Sequence, residues 1–435
     1  MVVERTELEP AAIQVPSVAT PVRARFVLFL LSAAYGIAAL DRNLMGLLIE
    51  PIKAEFGTSD AQMGLLTGLT VALFYVVVGI PLARLADRNN RVHLIAASMV
   101  IFSAATFFSG MAWSFTSLLL ARILVAIGEA GPTPASASIL ADYFPPERRQ
   151  MPMVIFTIGG FMGGALGVLG LGLFGLASTW RHVFKMAAVP GLLLVPIILW
   201  VVLEPRRKTT AAASAPSLTV ILELLRIRSY RRMALGFTMA AMVGVSAMNW
   251  MPSFLSRSLG FNQNQIFIFN GLAYGMGGSL GTLLSGLFSA RLRLSGSSRP
   301  LLLCSAISGI VAIAFCMSFL FPGTAFALPA LMMGLFLVGA YQGPILALVQ
   351  DIVPNDRRGV ATALLFLVSS TLGLGIGPLA VGILSDAFHP IFESASVRYA
   401  LVAVVSISGA IGVASLLFGA KSIAADVAAL DKRAA

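Results

Sequence analysis

Glu204-Pro205-Arg206-Arg207-Lys208 opens a stretch, residues 204–231, that runs on through Ala, Ser and Pro and closes on Arg226, Arg228 and Arg231. Its surroundings on either side are overwhelmingly apolar. A helix needs about 20 apolar residues to cross the hydrocarbon layer of a bilayer. Six such runs precede the stretch, near 26–49, 62–86, 92–113, 115–141, 152–177 and 182–203. Six more follow it, near 232–255, 265–290, 300–322, 325–350, 358–385 and 396–420. They are too long for membrane strands and lack alternating polarity. The expected fold is therefore an all-α polytopic membrane protein with twelve transmembrane helices in two six-helix bundles, 26–203 and 232–420. Residues 204–231 are then a cytoplasmic linker, with cytoplasmic tails at 1–25 and 421–435. From Leu218 to Arg232 the linker carries apolar residues at helical spacing among arginines, which predicts an amphipathic helix on the inner membrane surface.

Composition agrees. The 435 residues are 58% hydrophobic and 11% charged, with a mean hydropathy of +0.90. Soluble domains carry about 25% charged residues, and so few charges could not cover a soluble surface. That excludes a soluble enzyme, a disordered scaffold and a secreted disulfide framework. The net charge of +11 does not point to nucleic acid, because the basic residues cluster between apolar runs. With the N-terminus in the cytoplasm, twenty-three of the thirty lysines and arginines fall on the cytoplasmic side. Five fall outside: Lys53, Arg181, Lys185, Arg257 and Arg398. The positive-inside bias thus makes both termini cytoplasmic. Cys304 and Cys316 are twelve residues apart in one run, about 18 Å along a helix and too far for a disulfide. Residues 1–22 lack the basic and apolar regions of a cleavable signal.

Four ionisable residues fall inside spans: Asp41 and Arg42 in the first, Arg122 and Glu129 in the fourth. Such residues are functional candidates, because charge in the membrane must face protein or water. Asp41 lies about 13 Å from the outer end of its helix and Arg122 about 10 Å from its own. The depths match, so an Asp41–Arg122 ion pair is allowed if the two helices adjoin. Glu129 follows Arg122 by two turns on the same face. It sits in Gly128-Glu129-Ala130-Gly131-Pro132-Thr133-Pro134, where glycines and prolines loosen the helix. Desolvation makes its charge costly there, which suits it to binding and releasing a proton. The plainer alternative is a set of buried pairs that fix helix packing, with Arg42 snorkelling outward.

Short motifs add a resemblance. The 2–3 loop reads Gly79-Ile80-Pro81-Leu82-Ala83-Arg84-Leu85-Ala86-Asp87-Arg88-Asn89-Asn90-Arg91. Asp142-Tyr143-Phe144-Pro145-Pro146-Glu147-Arg148-Arg149 and Val353-Pro354-Asn355-Asp356-Arg357-Arg358-Gly359 look like counterparts in the two halves. Span eleven carries Gly373, Gly375, Gly377-Pro378 and Gly382, then Ser385-Asp386. Together with the six-plus-six organisation, these resemble the major facilitator transporters. Over roughly residues 36–150 the chain is similar to the spinster family of lipid transporters, through Asp41-Arg42, Gly64-Leu65-Leu66, Asp87 to Arg91, and Arg122 with Gly128-Glu129-Ala130. Ala83, Val92 and Ala126 depart from the usual pattern.

The resemblance implies a proton-coupled secondary transporter working by alternating access. Its implied substrate is an amphiphile of the sphingoid phosphate or lysophospholipid class, moved across a bacterial inner membrane. Asp41 and Glu129 become proton-coupling candidates, Arg42 and Arg122 candidates for an anionic headgroup, and Asp87, Arg88 and Arg91 a conformational gate. The second half shows no clearly buried charge. Its cavity candidates are Asn249, Asn270, Tyr274, Tyr341 and Gln342, and a cavity charged on one wall and apolar on the other suits an amphiphile. The expected partners are substrate, protons and membrane lipids, with no nucleic acid, and a monomer is expected. No cofactor is expected, and His93, His182 and His389 lie near span ends, so no metal site is expected either. No enzyme constellation is visible. Two alternatives stay open: a proton-coupled multidrug exporter, since span five is glycine-rich at residues 159–167, and an organic anion:proton symporter.

Overall fold

A computed structural model of the chain describes residues 21–145, 148–174, 179–205, 218–292, 298–354 and 357–434. Every regular element among them is helical. Span one is Pro21–Leu47, span three Arg91–Ser109, span five Gln150–Leu173 and span six Trp180–Val201. Span seven is Arg228–Leu259, span eight Gln263–Leu292, span nine Arg299–Leu320 and span twelve Ser396–Ala434. The other four are interrupted, covering residues 60–88, 115–143, 327–352 and 358–392 for spans two, four, ten and eleven. Among the described residues this makes twelve helical passes. Trp113 and Trp200, 83% and 85% exposed at opposite span ends, suit the two interfacial belts of a bilayer.

Local chemistry sets the ends. Ser59 and Ser114 each close a capping box, and Asn90 and Thr179 accept the N–H of His93 and His182. These side chains satisfy donors that a helix start leaves unpaired. Pro132 and Pro134 cannot extend the helix that ends at Glu129, so span four restarts at Pro132. The linker helix runs Leu218–Arg226, shorter than its pattern predicted, because Ile227 is extended and Arg228 already begins span seven. Its Leu224 is buried in the second half, with Val220 and Ile227 packed on the same core. Residues 206–217 and 1–20 lie outside the described residues.

The core divides in an informative way. One cluster is confined to the first half, including Val27, Leu31, Ile95, Met99, Ile139 and Ile198. Another is confined to the second half, including Tyr230, Phe237, Ile345 and Leu365. The third joins both halves, with Leu44, Met63 and Phe184 packed in one body with Trp250, Phe254 and Leu401. This shared core lies toward the ends that the charge bias assigns to the outside. There, spans two and eleven meet backbone to backbone: a Cβ on Gly64 would lie 2.5 Å from the Pro378 carbonyl oxygen, and one on Gly68 2.6 Å from that of Gly375. Gly68 and Gly375 sit in facing π-helical stretches, Leu65–Leu69 and Ser369–Ile376. The two halves share a core at the side that the charge bias assigns to the outside and keep separate cores at the other.

Candidate functional site

The four intramembrane charges gather between spans one and four. Arg122 Nη1 lies 2.8 Å from Asp41 Oδ2, and both side chains are almost fully buried. Thr106 of span three donates to the other Asp41 oxygen at 2.6 Å. The Arg122–Asp41 contact is ionic without hydrogen-bond alignment, and Arg122 Nε also has no acceptor among the described residues. The guanidinium lies 5.7 Å from the Phe184 ring centroid.

Arg42 makes the second pair, donating from Nη1 to Glu129 Oε2 at 3.0 Å. Glu129 is 1% exposed in its side chain and Arg42 32%, so Arg42 is the more exposed member. Its guanidinium is 5.7 Å from the Tyr35 ring. The direction follows from helix geometry, since side chains tilt toward the N-terminus of their helix. Spans one and four run in opposite directions, so Arg42 leans back toward the start of span one and Glu129 back toward the start of span four, each toward the other. They meet. The expected Asp41–Arg122 contact is present, whereas outward snorkelling of Arg42 is not observed. Each half of the Asp41-Arg42 dipeptide is matched to a different opposite charge on span four.

Three tyrosines complete the surroundings. Tyr35, Tyr75 and Tyr274 all lie within electrostatic reach of Arg42, and Tyr274 of span eight also reaches Asn43. Tyr274 stacks obliquely on Phe161 of span five, with centroids 5.4 Å apart. The second half thereby touches the charged wall through a phenol. Thr106, Tyr35 and Tyr75 were not singled out from sequence, because nothing along the chain marks a Thr or Tyr as neighbour to a charge one helix away.

The remaining candidates divide. Asn249 is half-buried, donates to its own helix at the Val245 carbonyl (3.1 Å), and its backbone carbonyl lies against Gly46 of span one. Asn270 is buried, and its Oδ1 has no hydrogen-bond partner among the described residues. Gln342 is exposed. Tyr341 is a correction: it is buried against Phe237, with centroids 5.3 Å apart, and lines a small apolar space with Val243, Ser308, Val311 and Gly412. That space lies inside the second half, away from the charged pairs. Tyr341 and its neighbour Gln342 thus face different surroundings, one buried and one exposed.

Arg91, expected in a conformational gate, is held by partners of the first half in this structure. It ties the start of span three to the ends of spans four and six within the first half. Its Nε donates to Glu204 at 2.7 Å, and its Nη1 to Asp142 at 2.6 Å and Ser138 at 2.8 Å. Glu204 also accepts the backbone N–H of Arg91 at 2.8 Å. The side chains of Asp87 and Arg88 lie outside the described residues. In the second half, Arg357 pairs with Glu223 and so joins the linker helix to the start of span eleven. No group of three or more potential metal ligands occurs among the described residues.

Comparison with known proteins agrees with this architecture. The chain is 29% identical over 389 residues to an MFS-type efflux pump of Mycolicibacterium smegmatis, covering 87% of this chain and 90% of that protein. It is 28% identical over 423 residues to human protein spinster homolog 1, covering 89% and 79%. Among solved structures, a bacterial homologue of the human lysosomal transporter Spinster, inward-facing and unoccupied, superposes with a TM-score of 0.76 at 27% identity, covering 94% of this chain and 98% of that one. An inward-facing, occupied form of such a homologue gives 0.75 at 28% identity, covering 94% and 97%. The model of the Major Facilitator Superfamily matches residues 31–378, and the chain is a multi-pass membrane transporter that belongs to that family.

Proposed function

We propose that this transporter is a proton-coupled carrier of an amphiphilic, anion-bearing lipid-like substrate, working by alternating access in a bacterial inner membrane. The observation that carries the reading is the crossed pair, Asp41–Arg122 and Arg42–Glu129, buried between spans one and four. Each pair holds an acid that can take a proton and a guanidinium that cannot lose one. Protonating either acid frees an arginine whose planar fork suits phosphate or carboxylate. Proton binding and anion binding would then be linked through the same contact.

The rest of the interior supports an amphiphile. Among the described residues, the buried charges Asp41, Asp60, Arg91, Arg122 and Glu129 all belong to the first half. The second half offers Asn249, Asn270 and Tyr274, which suit a neutral portion of substrate. The shared outer core and separate inner cores support an inward-facing form. Named relatives include spinster homologues and an efflux pump, so proton-coupled drug export is the second reading, favoured by the uncharged second-half wall.

The test is binding to the purified full chain of a single-chain phospholipid, its uncharged analogue and a cationic hydrophobic drug. The proposal expects the anionic lipid to bind most tightly, and more tightly in acid. Preference for the drug, with no response to the phosphate, would favour the second reading.

A further inference from the structure

Three threonines inside spans five and eleven bond to their own helices. Thr157, Thr362 and Thr371 donate to the carbonyls of Met153, Arg358 and Leu367, four residues earlier, at 3.0, 3.0 and 2.9 Å. Ser109 of span three does the same at Ala105, at 2.9 Å. A hydroxyl within a helix has that local acceptor in reach. Thr106, three residues before Ser109, does otherwise: it turns across to span one and donates to Asp41 Oδ1 at 2.6 Å, with both residues buried. It is the one hydrogen bond that Asp41 accepts among the described residues, since Oδ2 meets Arg122 without hydrogen-bond alignment. Span three is also fixed in place here. A Cβ on Gly128 of span four would lie 2.7 Å from the Phe102 nitrogen, and one on Gly191 of span six would meet Ser103 Oγ. Spans four and six thus both approach span three closely, one turn before Thr106, and leave it little room to shift.

We propose that Thr106 is a positioning residue for Asp41: its hydroxyl holds the carboxylate toward Arg122 and sets how acidic the surroundings must be before Arg122 is released. The inference rests on the proton-coupled reading above and adds a residue to it. A hydroxyl that donates to a carboxylate favours its charged form, and such charge-assisted bonds are the strong ones. With Oδ1 engaged by Thr106, Oδ2 is the oxygen left for Arg122, so the bond also fixes the rotation of the carboxyl group. A hydroxyl accepts as well as donates, so Thr106 keeps a partner when Asp41 takes up a proton. The charged groups around Asp41 are Arg122 and Glu129 of span four and Arg42 beside it on span one. Span six brings the Phe184 ring to Arg122 and, against Gly110 one turn beyond Thr106, the stem of Lys185. Span five carries no charged residue between Gln150 and Leu173, and span seven carries its arginines near its two ends.

The experiment is an infrared titration of the full chain in lipid nanodiscs, with no ligand and no proton gradient. The C=O stretch of protonated Asp41 is identified as the band lost in Asp41→Asn. In Thr106→Val, which keeps the shape and removes the hydroxyl, that band should appear about one pH unit higher than in the parent, as expected for losing one hydrogen bond to a charged group. A band present in Thr106→Val and absent from the parent is the same shift. Thr106→Ser, which keeps the hydroxyl, should return the midpoint to that of the parent. A purely structural role would lower the unfolding temperature of Thr106→Val without moving the midpoint. If Thr106→Val fails to fold, Thr106→Ala should shift the band in the same sense. The same midpoint in the parent and a folded Thr106→Val or Thr106→Ala, or no Asp41 band in any of them, would overturn the assignment. So would a shift in Thr106→Ser equal to that in Thr106→Val. The transport reading fails by a different result, an anionic lipid bound no better than its uncharged analogue, which can occur with the infrared shift intact.

Discussion

Asp41 of span one and Arg122 of span four stand 2.8 Å apart, with 3% and 2% of their side chains exposed. Two charges so deeply buried are each costly alone, and removing one strands the other. Arg122→Ala should therefore destabilise the protein by about 3–5 kcal/mol. The pair replaced together, Asp41→Asn with Arg122→Gln, should cost less than the sum of the single changes. Thermal unfolding of the four proteins in detergent closes the cycle. Additive losses would mean that the two side chains do not act as a pair.

Glu129 offers a different test, because its partner Arg42 is partly exposed while Glu129 itself is buried. The carboxyl also keeps one oxygen with no hydrogen-bond partner among the described residues. Glu129→Gln keeps the shape and removes the titration. Proton-driven flux in reconstituted vesicles should fall by at least tenfold, while the protein stays folded and still binds substrate. Flux unchanged from the parent would remove Glu129 from the coupling scheme.

Arg91 should matter for stability rather than for gating. It is 4% exposed and joins Glu204, Asp142 and Ser138, all within the first half. Losing a charged hydrogen-bond set of this kind costs about 1.5–3 kcal/mol per main contact. Arg91→Gln should lower the unfolding temperature and expose the chain near Glu204 to protease. The balance between inward- and outward-facing forms should not move, read from spin-label distances across the outer rim. A large shift in that balance with unchanged stability would restore Arg91 to a gating role.

Much of this was legible along the chain, for a physical reason. Hydropathy and helical rise are one-dimensional quantities, so the twelve passes follow from apolar runs and the Asp41–Arg122 contact from matching depths. The Arg42–Glu129 pair was not legible, because it depends on which way each side chain leans and how far an arginine reaches. Tyr341 misled because span ten breaks between Ala327–Leu337 and Gln342–Ile352, and adjacent polar residues at the break face different ways. A charged cluster at the span ends was hidden by distance. Asp60 meets Arg257 across 197 positions, and its N–H meets Asp386 across 326. Charges at span ends are also what any membrane protein carries, so nothing in their type marked them.

The crossed pairs lead to a final expectation, that Arg122 alternates between Asp41 and an anionic headgroup. With Asp41 charged, the two neutralise one another. Protonating Asp41 removes that claim and leaves Arg122, whose Nε and Nη1 already lack hydrogen-bond acceptors among the described residues, to grip phosphate. The sign follows directly: anion affinity should rise as pH falls, because acid removes the competing carboxylate. Asp41→Asn should hold the site in the protonated condition, with high affinity and little change across pH. Arg122→Ala should lose phosphate-bearing ligands more than their uncharged analogues. The measurement is calorimetric binding of both ligand types to parent, Asp41→Asn and Arg122→Ala at several pH values. If Arg122→Ala binds both as the parent does, the headgroup is held elsewhere and Arg42, the more exposed arginine, becomes the residue to replace.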